Sequence, residues 1–410
     1  MKQRLSNRSI NSNLKNDILK IGAMAKAAKQ SDPEVINATI GTYLNDDKTI
    51  NQVQAIVDTL KSDLTNHLGY PEIRGNQLFK EGLLKWFFKD HYNELVSQYE
   101  IPFTATIGGT GALTLAFNLF LEAGNKVLLP SIMWSNYQLI AKKAALDYDT
   151  YQLFNSNNQF NIDGLCQKII ELSKIQSQIL VVINDPCQNP TGYSLSDEEY
   201  EKLMERLNEL GEKINLTVLF DIAYLDYDDN PNQMHRLFRY ITKKNRSFES
   251  VFAASCSKMF GIYGLRIGAL FGITKDQSFA KTFITCLESQ IRGTYSCPNG
   301  AAITSISYLL TSKKLDILTK QINENSKKLK VRTTYFINQL NQYQFEYLPY
   351  HNGFFVCLKV NNALAVCEEL KANKVYVIPI NDNLIRIAVC SLNHAEIDRL
   401  VAILNQIIKS

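Results

Sequence analysis

Lys258 has the surroundings of a reactive lysine rather than those of a surface charge. It follows residues 251–254, an apolar run that predicts a buried strand, and Ser255 and Ser257 lie just before it. Burial at the end of a strand lowers the pKa of a lysine and makes its neutral amine available for a Schiff base. Ser255, Ser257 and Arg266 together supply charge-assisted hydrogen bonds that hold a phosphate dianion. The segment by itself therefore predicts a Schiff base formed beside a phosphate group.

Polar residues also follow two other predicted strands. Asp221 and Tyr224 come directly after the apolar residues 217–220, and Asn189 lies in an Asn-Pro-Thr-Gly turn after residues 179–183. Ligands of parallel sheets bind beyond the carboxyl ends of the strands. The polar residues at these ends are therefore candidates for the same site.

The segments that carry these residues alternate between short apolar runs and helical patterns. Four runs have the length and composition of buried strands. They are residues 126–129, 179–183, 217–220 and 251–254. The clearest helix, residues 197–212, begins with a capping box formed by Ser196 and Glu199. This alternation predicts an α/β fold whose mostly parallel sheet is covered by helices on both faces.

A change of pattern after about residue 310 predicts a second, smaller α+β domain. A long helical pattern at residues 314–342 precedes three short apolar runs and a last helix. The runs are residues 353–360, 375–378 and 384–389, and the helix is residues 394–408. We expect a large domain at residues 50–310 and a small domain made of residues 1–49 and 311–410.

The composition is that of an ordinary globular protein. A chain of 410 residues is too long for one compact core, and its net charge of +4 gives no reason to expect nucleic acid or an anionic membrane as a partner. The first 20 residues are polar, and no stretch reaches the ~18 apolar residues of a membrane span, so we expect neither a signal peptide nor a membrane anchor.

Eight cysteines are scattered along the chain without a Cys-x-x-Cys pair or a His at metal-ligand spacing, so no metal site is expected. They are Cys166, Cys187, Cys256, Cys286, Cys297, Cys357, Cys367 and Cys390. Scattered thiols in a chain of this size are typical of a reducing compartment, and we expect a cytoplasmic protein.

The segment around Lys258 also resembles a known family signature. Ser-x-Ser-Lys followed by Gly-x-Arg-x-Gly is similar to the signature of the class I aminotransferases of fold type I, which depend on pyridoxal phosphate. The run SKMFGIYGLRIGAL resembles their aspartate and aromatic branch. The resemblance extends over nearly the whole chain and implies the three-layer pyridoxal-phosphate transferase fold and a homodimer with shared active sites.

The resemblance implies roles for the residues at the strand ends. Lys258 would bind the cofactor covalently and act as general base and then acid. Asp221 would keep the pyridine nitrogen protonated, so that the ring can accept electrons. Tyr224 would lie near the ring hydroxyl, and Asn189 would bond both that hydroxyl and the substrate carboxylate. Ser255, Ser257 and Arg266 would hold the phosphate.

Two further motifs would complete the cofactor site. Gly109 and Thr110 precede a helix predicted at residues 112–121, and backbone N–H groups at a helix start bind phosphate. The branch usually has Ser where Gly108 stands, so one hydroxyl contact is expected to be missing. Trp134 matches the aromatic residue that stacks on the pyridine ring, with one extra residue in front of it, and it would also contact the substrate.

Arg386 matches the arginine that holds the substrate α-carboxylate in a C-terminal strand. Ile385 precedes it where the family usually has Gly. Gly41 matches a glycine near the same carboxylate, in a segment of the form Asn-x-x-x-Gly-x-Tyr.

Two matches are expected to act across a dimer interface. Tyr70 resembles the tyrosine that reaches the cofactor phosphate of the partner subunit. Arg292 resembles the arginine that reads the distal carboxylate of a dicarboxylic substrate, although Cys297 and Asn299 depart from the residues that often follow it.

The predicted function is transfer of an amino group between an aspartate-type or aromatic amino acid and a 2-oxo acid, with 2-oxoglutarate as the acceptor. Two alternatives share parts of the pattern. A β-lyase or racemase would use the same Lys258, Asp221 and Arg266, and a transcription regulator can be built on this fold. The regulator would need a basic DNA-binding module, for which the Asn-rich first 40 residues are too short.

Overall fold

The computed structural model describes residues 17–62, 69–228, 234–243 and 246–409. Its strands are β1 (Ile36–Asn37), β2 (Phe103–Thr106), β3 (Lys126–Pro130), β4 (Asp147–Tyr151), β5 (Gln178–Asn184), β6 (Asn215–Asp221), β7 (Glu249–Ser255), β8 (Gly268–Ile273), β9 (Phe355–Lys359), β10 (Val375–Tyr376), β11 (Ile378–Asn381) and β12 (Leu384–Ala388). Its α-helices are α1 (Asp17–Ser31), α2 (Gln54–Ser62), α3 (Gln77–Phe88), α4 (Tyr92–Gln98), α5 (Gly108–Phe120), α6 (Asn136–Lys143), α7 (Ile162–Ser173), α8 (Asp197–Gly211), α9 (Arg236–Thr242), α10 (Cys256–Met259), α11 (Gln277–Thr294), α12 (Gly300–Thr311), α13 (Leu315–Gln342), α14 (Ala363–Ala372) and α15 (His394–Lys409).

The central sheet has seven strands in the order β2-β8-β7-β6-β5-β3-β4. Strands β4, β3, β5, β6 and β7 run parallel to one another, and β8 is antiparallel to both of its neighbours. The four strands predicted from the apolar runs are all members of the parallel part. The prediction of a mostly parallel sheet is therefore confirmed.

Successive residues of the central strands enter two different hydrophobic clusters, because side chains of a strand alternate between its faces. Val181 and Phe220 belong to the cluster that includes residues of α3, α7, α8 and α12. Their neighbours Val182 and Leu219 belong to the cluster that includes residues of α5, α6 and α11. Two helical layers thus cover the sheet, which explains why the central strands are apolar throughout rather than alternating.

The C-terminal part has a separate core. Strands β11, β12 and β9 form an antiparallel sheet in that order, and β1 pairs in parallel with β10. Helices α13, α14 and α15 contribute to the same hydrophobic cluster. The β1–β10 pair joins the N-terminal segment to this part, while the domain limits at residues 49, 50, 310 and 311 stay a prediction.

Two local predictions have different outcomes. Ser196 and Glu199 form both hydrogen bonds of the predicted capping box at the start of α8. The prediction that a helix begins at residue 112 is wrong, because α5 begins at Gly108. Packing outweighs the low helix propensity of glycine here: a Cβ on Gly268 of β8 would lie only 2.7 Å from the carbonyl carbon of Gly108.

Residues 1–16, for which we predicted a polar segment without a signal peptide and membership of the small domain, lie outside the described residues. Within the described ranges, no helix combines the length and the apolar character needed to cross a bilayer.

Candidate active site

A cavity of about 490 Å³ opens at the carboxyl ends of β5, β6 and β7, where Asn184, Asp221 and Ser255 end these strands. Most of the residues predicted from the sequence line it together. They are Gly41, Gly109, Thr110, Trp134, Asn189, Asp221, Tyr224, Ser255, Ser257, Lys258, Arg266 and Arg386. Tyr70 and Arg292 are the predicted residues that do not line this cavity within their own chain.

Lys258 lies in the short helix α10, directly after β7. Its Nζ donates a hydrogen bond to the carbonyl oxygen of Gly41 at 2.9 Å and lies 4.6 Å from the centroid of the Tyr263 ring. Protein encloses Nζ even though part of the side chain faces the cavity. This desolvation lowers the pKa of Lys258 to about 8, and the positive charges of Arg266 and Arg386 act in the same direction. The neutral amine is therefore far more populated near neutral pH than in a free lysine.

Asp221 ends β6 as a buried carboxylate. Its Oδ2 accepts a hydrogen bond from the hydroxyl of Tyr137 at 2.5 Å, and its Oδ1 accepts one from the backbone N–H of Ala223 at 3.1 Å. Burial raises the pKa of Asp221 to about 6, while both hydrogen bonds and the charge of Lys258 oppose that rise. The carboxyl group of Asp221 therefore changes between its neutral and ionised forms at about pH 6.

Two aromatic side chains form walls of the cavity. Trp134 contacts the Tyr137 ring edge-on, with centroids 5.5 Å apart and planes at 83°. Tyr224 is buried, packs against Phe354 with centroids 5.1 Å apart, and burial raises its pKa well above the ordinary value. Both rings are thereby fixed in orientation by neighbouring rings.

One end of the cavity is a narrow cradle of backbone, hydroxyl and guanidinium groups. Nη1 of Arg266 donates to Ser257 Oγ at 3.2 Å. Gly108 has φ of +65°, and a Cβ there would lie 2.7 Å from Nη2 of Arg266. A Cβ on Gly109 would lie 3.2 Å from Cβ of Ser255. The departure from the family at Gly108 therefore has a physical reason, since Arg266 occupies the space that a serine side chain would need.

Arg386 of β12 is buried at another end of the cavity. Its Nη1 donates to Asn189 Oδ1 at 3.3 Å, and its Nη2 donates to the carbonyl oxygen of Thr39 at 2.7 Å. Its Nε is buried and has no hydrogen-bond partner among the described residues. Leaving such a donor unpaired is costly, which indicates that a ligand completes the site. Ile385, where the family usually has Gly, is buried in the C-terminal core on the other face of the strand.

Gly41 lies against Phe355, and a Cβ on Gly41 would come within 2.5 Å of the Phe355 ring. The guanidinium of Arg386 lies 4.4 Å from the centroid of the same ring. A larger residue at position 41 would therefore push Phe355 towards Arg386.

The two residues predicted to act in a partner subunit lie at the surface. Tyr70 is 95% exposed. Arg292, in the last turn of α11, is exposed and donates from Nη1 to Ser296 Oγ at 2.6 Å. Asn299, one of the departures that follow Arg292, caps α12 by accepting the backbone N–H of Ala302.

Sequence reasoning missed several residues of the cavity. Tyr137 stands three residues after Trp134, across a turn in which its backbone N–H donates to the Trp134 carbonyl oxygen at 3.0 Å, and this close spacing was available as a signal. Tyr263 lies within the signature segment itself. Gly22, Ala23 and Lys26 of α1 also line the cavity, and no motif marked them.

Comparisons with known proteins agree with this geometry. Residues 33–404 match the family model described as aminotransferase class I and II.

The chain belongs to this family.

Three relatives illustrate the range of the class I and II aminotransferases to which the chain is similar. Aspartate aminotransferase of Pseudomonas aeruginosa is 26% identical over 70% of this chain and 71% of its own length. A solved aminotransferase of Anaerococcus prevotii is 27% identical with a TM-score of 0.93, covering 100% of both chains. The aromatic-amino-acid aminotransferase of Burkholderia pseudomallei, solved with covalently bound pyridoxal phosphate, is 23% identical with a TM-score of 0.81 over 98% of this chain and 100% of that one.

The protein is therefore an aminotransferase of the fold type I architecture, and pyridoxal phosphate is its cofactor. The cavity fits this cofactor. The glycine cradle beside Ser255, Ser257 and Arg266 suits a phosphate, the carboxylate of Asp221 suits a ring N–H, and Lys258 lines the same cavity.

Proposed function

We propose that this aminotransferase moves an amino group from an aspartate-type or aromatic amino acid to a 2-oxo acid, with 2-oxoglutarate as the acceptor. The observation that carries the proposal is the unpaired, buried Nε of Arg386 in the cavity that also holds Lys258 and Asp221. A guanidinium is the natural partner of a carboxylate, which every amino-acid and 2-oxo-acid substrate possesses. Relatives named for aspartate and for aromatic amino acids support this choice of donors.

Bound pyridoxal phosphate supplies a carbonyl that takes up the amino group and a ring that accepts electrons from the substrate α-carbon. We propose that Ser255, Ser257 and Arg266, with the backbone of Gly109 and Thr110, hold its phosphate. Trp134 would stack on the ring.

The remaining roles concern protons and orientation. Asp221 would keep a proton on the ring nitrogen, because a buried carboxylate favours a nearby cation. Arg386 and Asn189 would orient the substrate carboxylate, and Tyr224 would lie near the ring hydroxyl. Lys258 would remove the proton from the substrate α-carbon and deliver it to C4′ of the cofactor, a task that its lowered pKa favours.

We also propose that the enzyme works as a homodimer in the cytoplasm, with Tyr70 and Arg292 completing the site of the other subunit. The exposure of Tyr70 supports this arrangement, because a tyrosine that is 95% exposed in one chain gains from burial in another.

The test is a single-turnover titration of the protein loaded with pyridoxal phosphate. Without an acceptor, a correct donor should release one equivalent of its 2-oxo acid per subunit and change the visible absorbance. Lys258→Ala should lose the visible band of the lysine-bound cofactor and slow the release by at least about 100-fold, since general acid–base catalysis contributes that much. Lys320→Ala, an exposed lysine of α13, is the matched control. Full activity in Lys258→Ala would disprove the role of Lys258, and a failure of every donor would contradict the proposed reaction.

A further inference from the structure

Five charged side chains line the active-site cavity in the described part of the chain. Lys26, Lys258, Arg266 and Arg386 are cationic, and Asp221 is the anion. The proposed function assigns a partner to four of them: Arg266 faces the phosphate, Asp221 the ring nitrogen, Arg386 the α-carboxylate, and Lys258 the carbonyl. The fifth, Lys26, is a cation that neither the cofactor nor the substrate α-carboxylate would neutralise.

Lys26 is presented to the cavity by one face of α1. Gly22 and Ala23, which line the cavity with it, precede it by four and three residues and therefore lie on the same side of the helix. Because these two residues are so small, the face in front of Lys26 is open, and its long flexible stem has room to reach a ligand.

The placement of α1 is coupled to that of Arg386. A Cβ on Gly22 would lie 3.5 Å from Oγ1 of Thr39 and 3.7 Å from Cγ1 of Ile40, so the helix packs closely on this segment. The carbonyl oxygen of Thr39 accepts the hydrogen bond from Nη2 of Arg386 at 2.7 Å. One short segment thus positions both the cation for the α-carboxylate and the helix that carries Lys26.

Two nearby lysines are paired with a carboxylate, whereas Lys26 is not, in the part of the chain that the structure describes. Lys29 on the same helix and Lys48 both pair with Glu396. Lys26 makes no ion pair within the described residues, so its ammonium is available to a ligand. A free cation that faces a cavity attracts anionic substrates and discriminates among them.

We propose that Lys26 binds the distal carboxylate of a dicarboxylic substrate, in the same subunit whose Arg386 binds the α-carboxylate. The inference rests on the proposed function and deepens it: the cavity selects 2-oxo acids and amino acids that carry a second carboxylate. Selection within one chain differs from the role expected for Arg292, which would act from the other subunit.

The experiment measures KM and kcat of the holoenzyme for 2-oxoglutarate and for pyruvate, which lacks the distal carboxylate, with one fixed amino donor. Lys26→Met keeps most of the stem and removes the charge. It should raise the ratio of the KM for 2-oxoglutarate to the KM for pyruvate about tenfold, the loss expected for one charge-assisted contact. Lys26→Arg should restore most of the ratio. Lys20→Met, an exposed lysine of the same helix that does not line the cavity, should leave it as in the wild type.

Arg292→Met forms the second arm. A rise of the ratio in Lys26→Met, whether or not Arg292→Met also raises it, supports the proposal. An unaltered ratio in Lys26→Met overturns it, and so does a wild-type enzyme that uses pyruvate but not 2-oxoglutarate. If the wild type transaminates neither acceptor with any donor, the proposed function itself fails, and this outcome is distinct from an unaltered ratio in an active enzyme.

Discussion

Burial is the main influence on the pKa values of the two central groups, Asp221 and Lys258. Burial raises the pKa of Asp221 to about 6, and burial lowers the pKa of Lys258 to about 8. The same physical cause acts in opposite directions because it disfavours an anion in one case and a cation in the other. Tyr137 faces Asp221 from α6, Lys258 faces it from α10, and Tyr224 lies nearby on the same segment.

Tyr137→Phe should shift the pH dependence of cofactor binding. Binding to the apoprotein needs the ionised carboxylate of Asp221 and should weaken as the pH falls through about 6. The Tyr137 hydroxyl donates to the ionised form, so its removal should raise the pKa of Asp221 by about 1, and binding should then fail at a higher pH. The measurement is the affinity for pyridoxal phosphate across this pH range, from the quenching of intrinsic fluorescence.

The phosphate of the cofactor also titrates near this pH, so the difference between variants is the quantity of interest. Tyr151→Phe is the matched control, since Tyr151 is equally buried but donates to the carbonyl oxygen of Val182 instead. If cofactor affinity falls at the same pH in the wild type and in Tyr137→Phe, then Tyr137 does not act on Asp221.

At the scale of elements, the start of α5 is set by close backbone contact with β8. A Cβ would collide with a neighbour at Gly268 and Gly108 and would be crowded at Gly109, and Arg266 fills the space beside Gly108. The cradle for the phosphate therefore forms because glycines let the start of α5 and the start of β8 approach each other closely.

Gly108→Ser restores the residue usual in the family branch, yet it should weaken cofactor binding. The serine Cβ would lie 2.7 Å from Nη2 of Arg266, so the guanidinium must move. We expect the affinity for pyridoxal phosphate to fall about tenfold, as for one lost charge-assisted contact. The positive φ should also cost about 1–2 kcal/mol of stability.

Gly124→Ser separates these two effects. Gly124 has φ of +89° and nothing within 4 Å of a Cβ, so the serine is strained there without meeting a neighbour. Both variants should unfold at a lower temperature, but only Gly108→Ser should lose affinity. A gain in affinity for Gly108→Ser would refute the clash with Arg266.

At the scale of the whole molecule, the proposed homodimer gives a role to Tyr70 and Arg292, which do not line the cavity of their own chain. Both were predicted to act on the other subunit, and both are exposed in the single chain. Isologous dimers place the same surface on both sides of the interface, so each subunit would complete the site of the other.

Mixing two impaired variants should therefore recover activity. The Lys258→Ala subunit lacks the reactive lysine but has an intact Tyr70. The Tyr70→Ala subunit lacks the tyrosine but has an intact Lys258. After unfolding and refolding together in equal amounts, half of the dimers should be hybrids with one intact site, which gives about a quarter of the wild-type turnover. Turnover no higher than the mean of the two parents would place Tyr70 in its own subunit or outside the site.

Much of the fold and of the site could be predicted from the sequence, for identifiable reasons. Four strands of the central sheet, β3, β5, β6 and β7, were predictable because burial on both faces leaves continuous apolar runs. Asp221, Asn189 and Lys258 were predictable because they end or follow such runs, and the signature segment ordered them. The start of α5 was predicted wrongly, since it depends on a contact with Gly268, which lies far away along the chain.

The sequence by itself determined the residue types of the chemistry: a lysine between serines, a carboxylate at a strand end, and arginines for phosphate and carboxylate. These are local patterns, which can be recognised without knowing the tertiary contacts of each residue. Only the tertiary structure decided the pKa values of these groups and the residues that contact them. Tyr137 reaches Asp221, Gly41 meets Lys258, and α1 brings Lys26 to the cavity through contacts between segments distant in sequence. Hydrogen bonding depends on such contacts, so the sequence indicated the burial of Lys258 but not the partners that these groups meet.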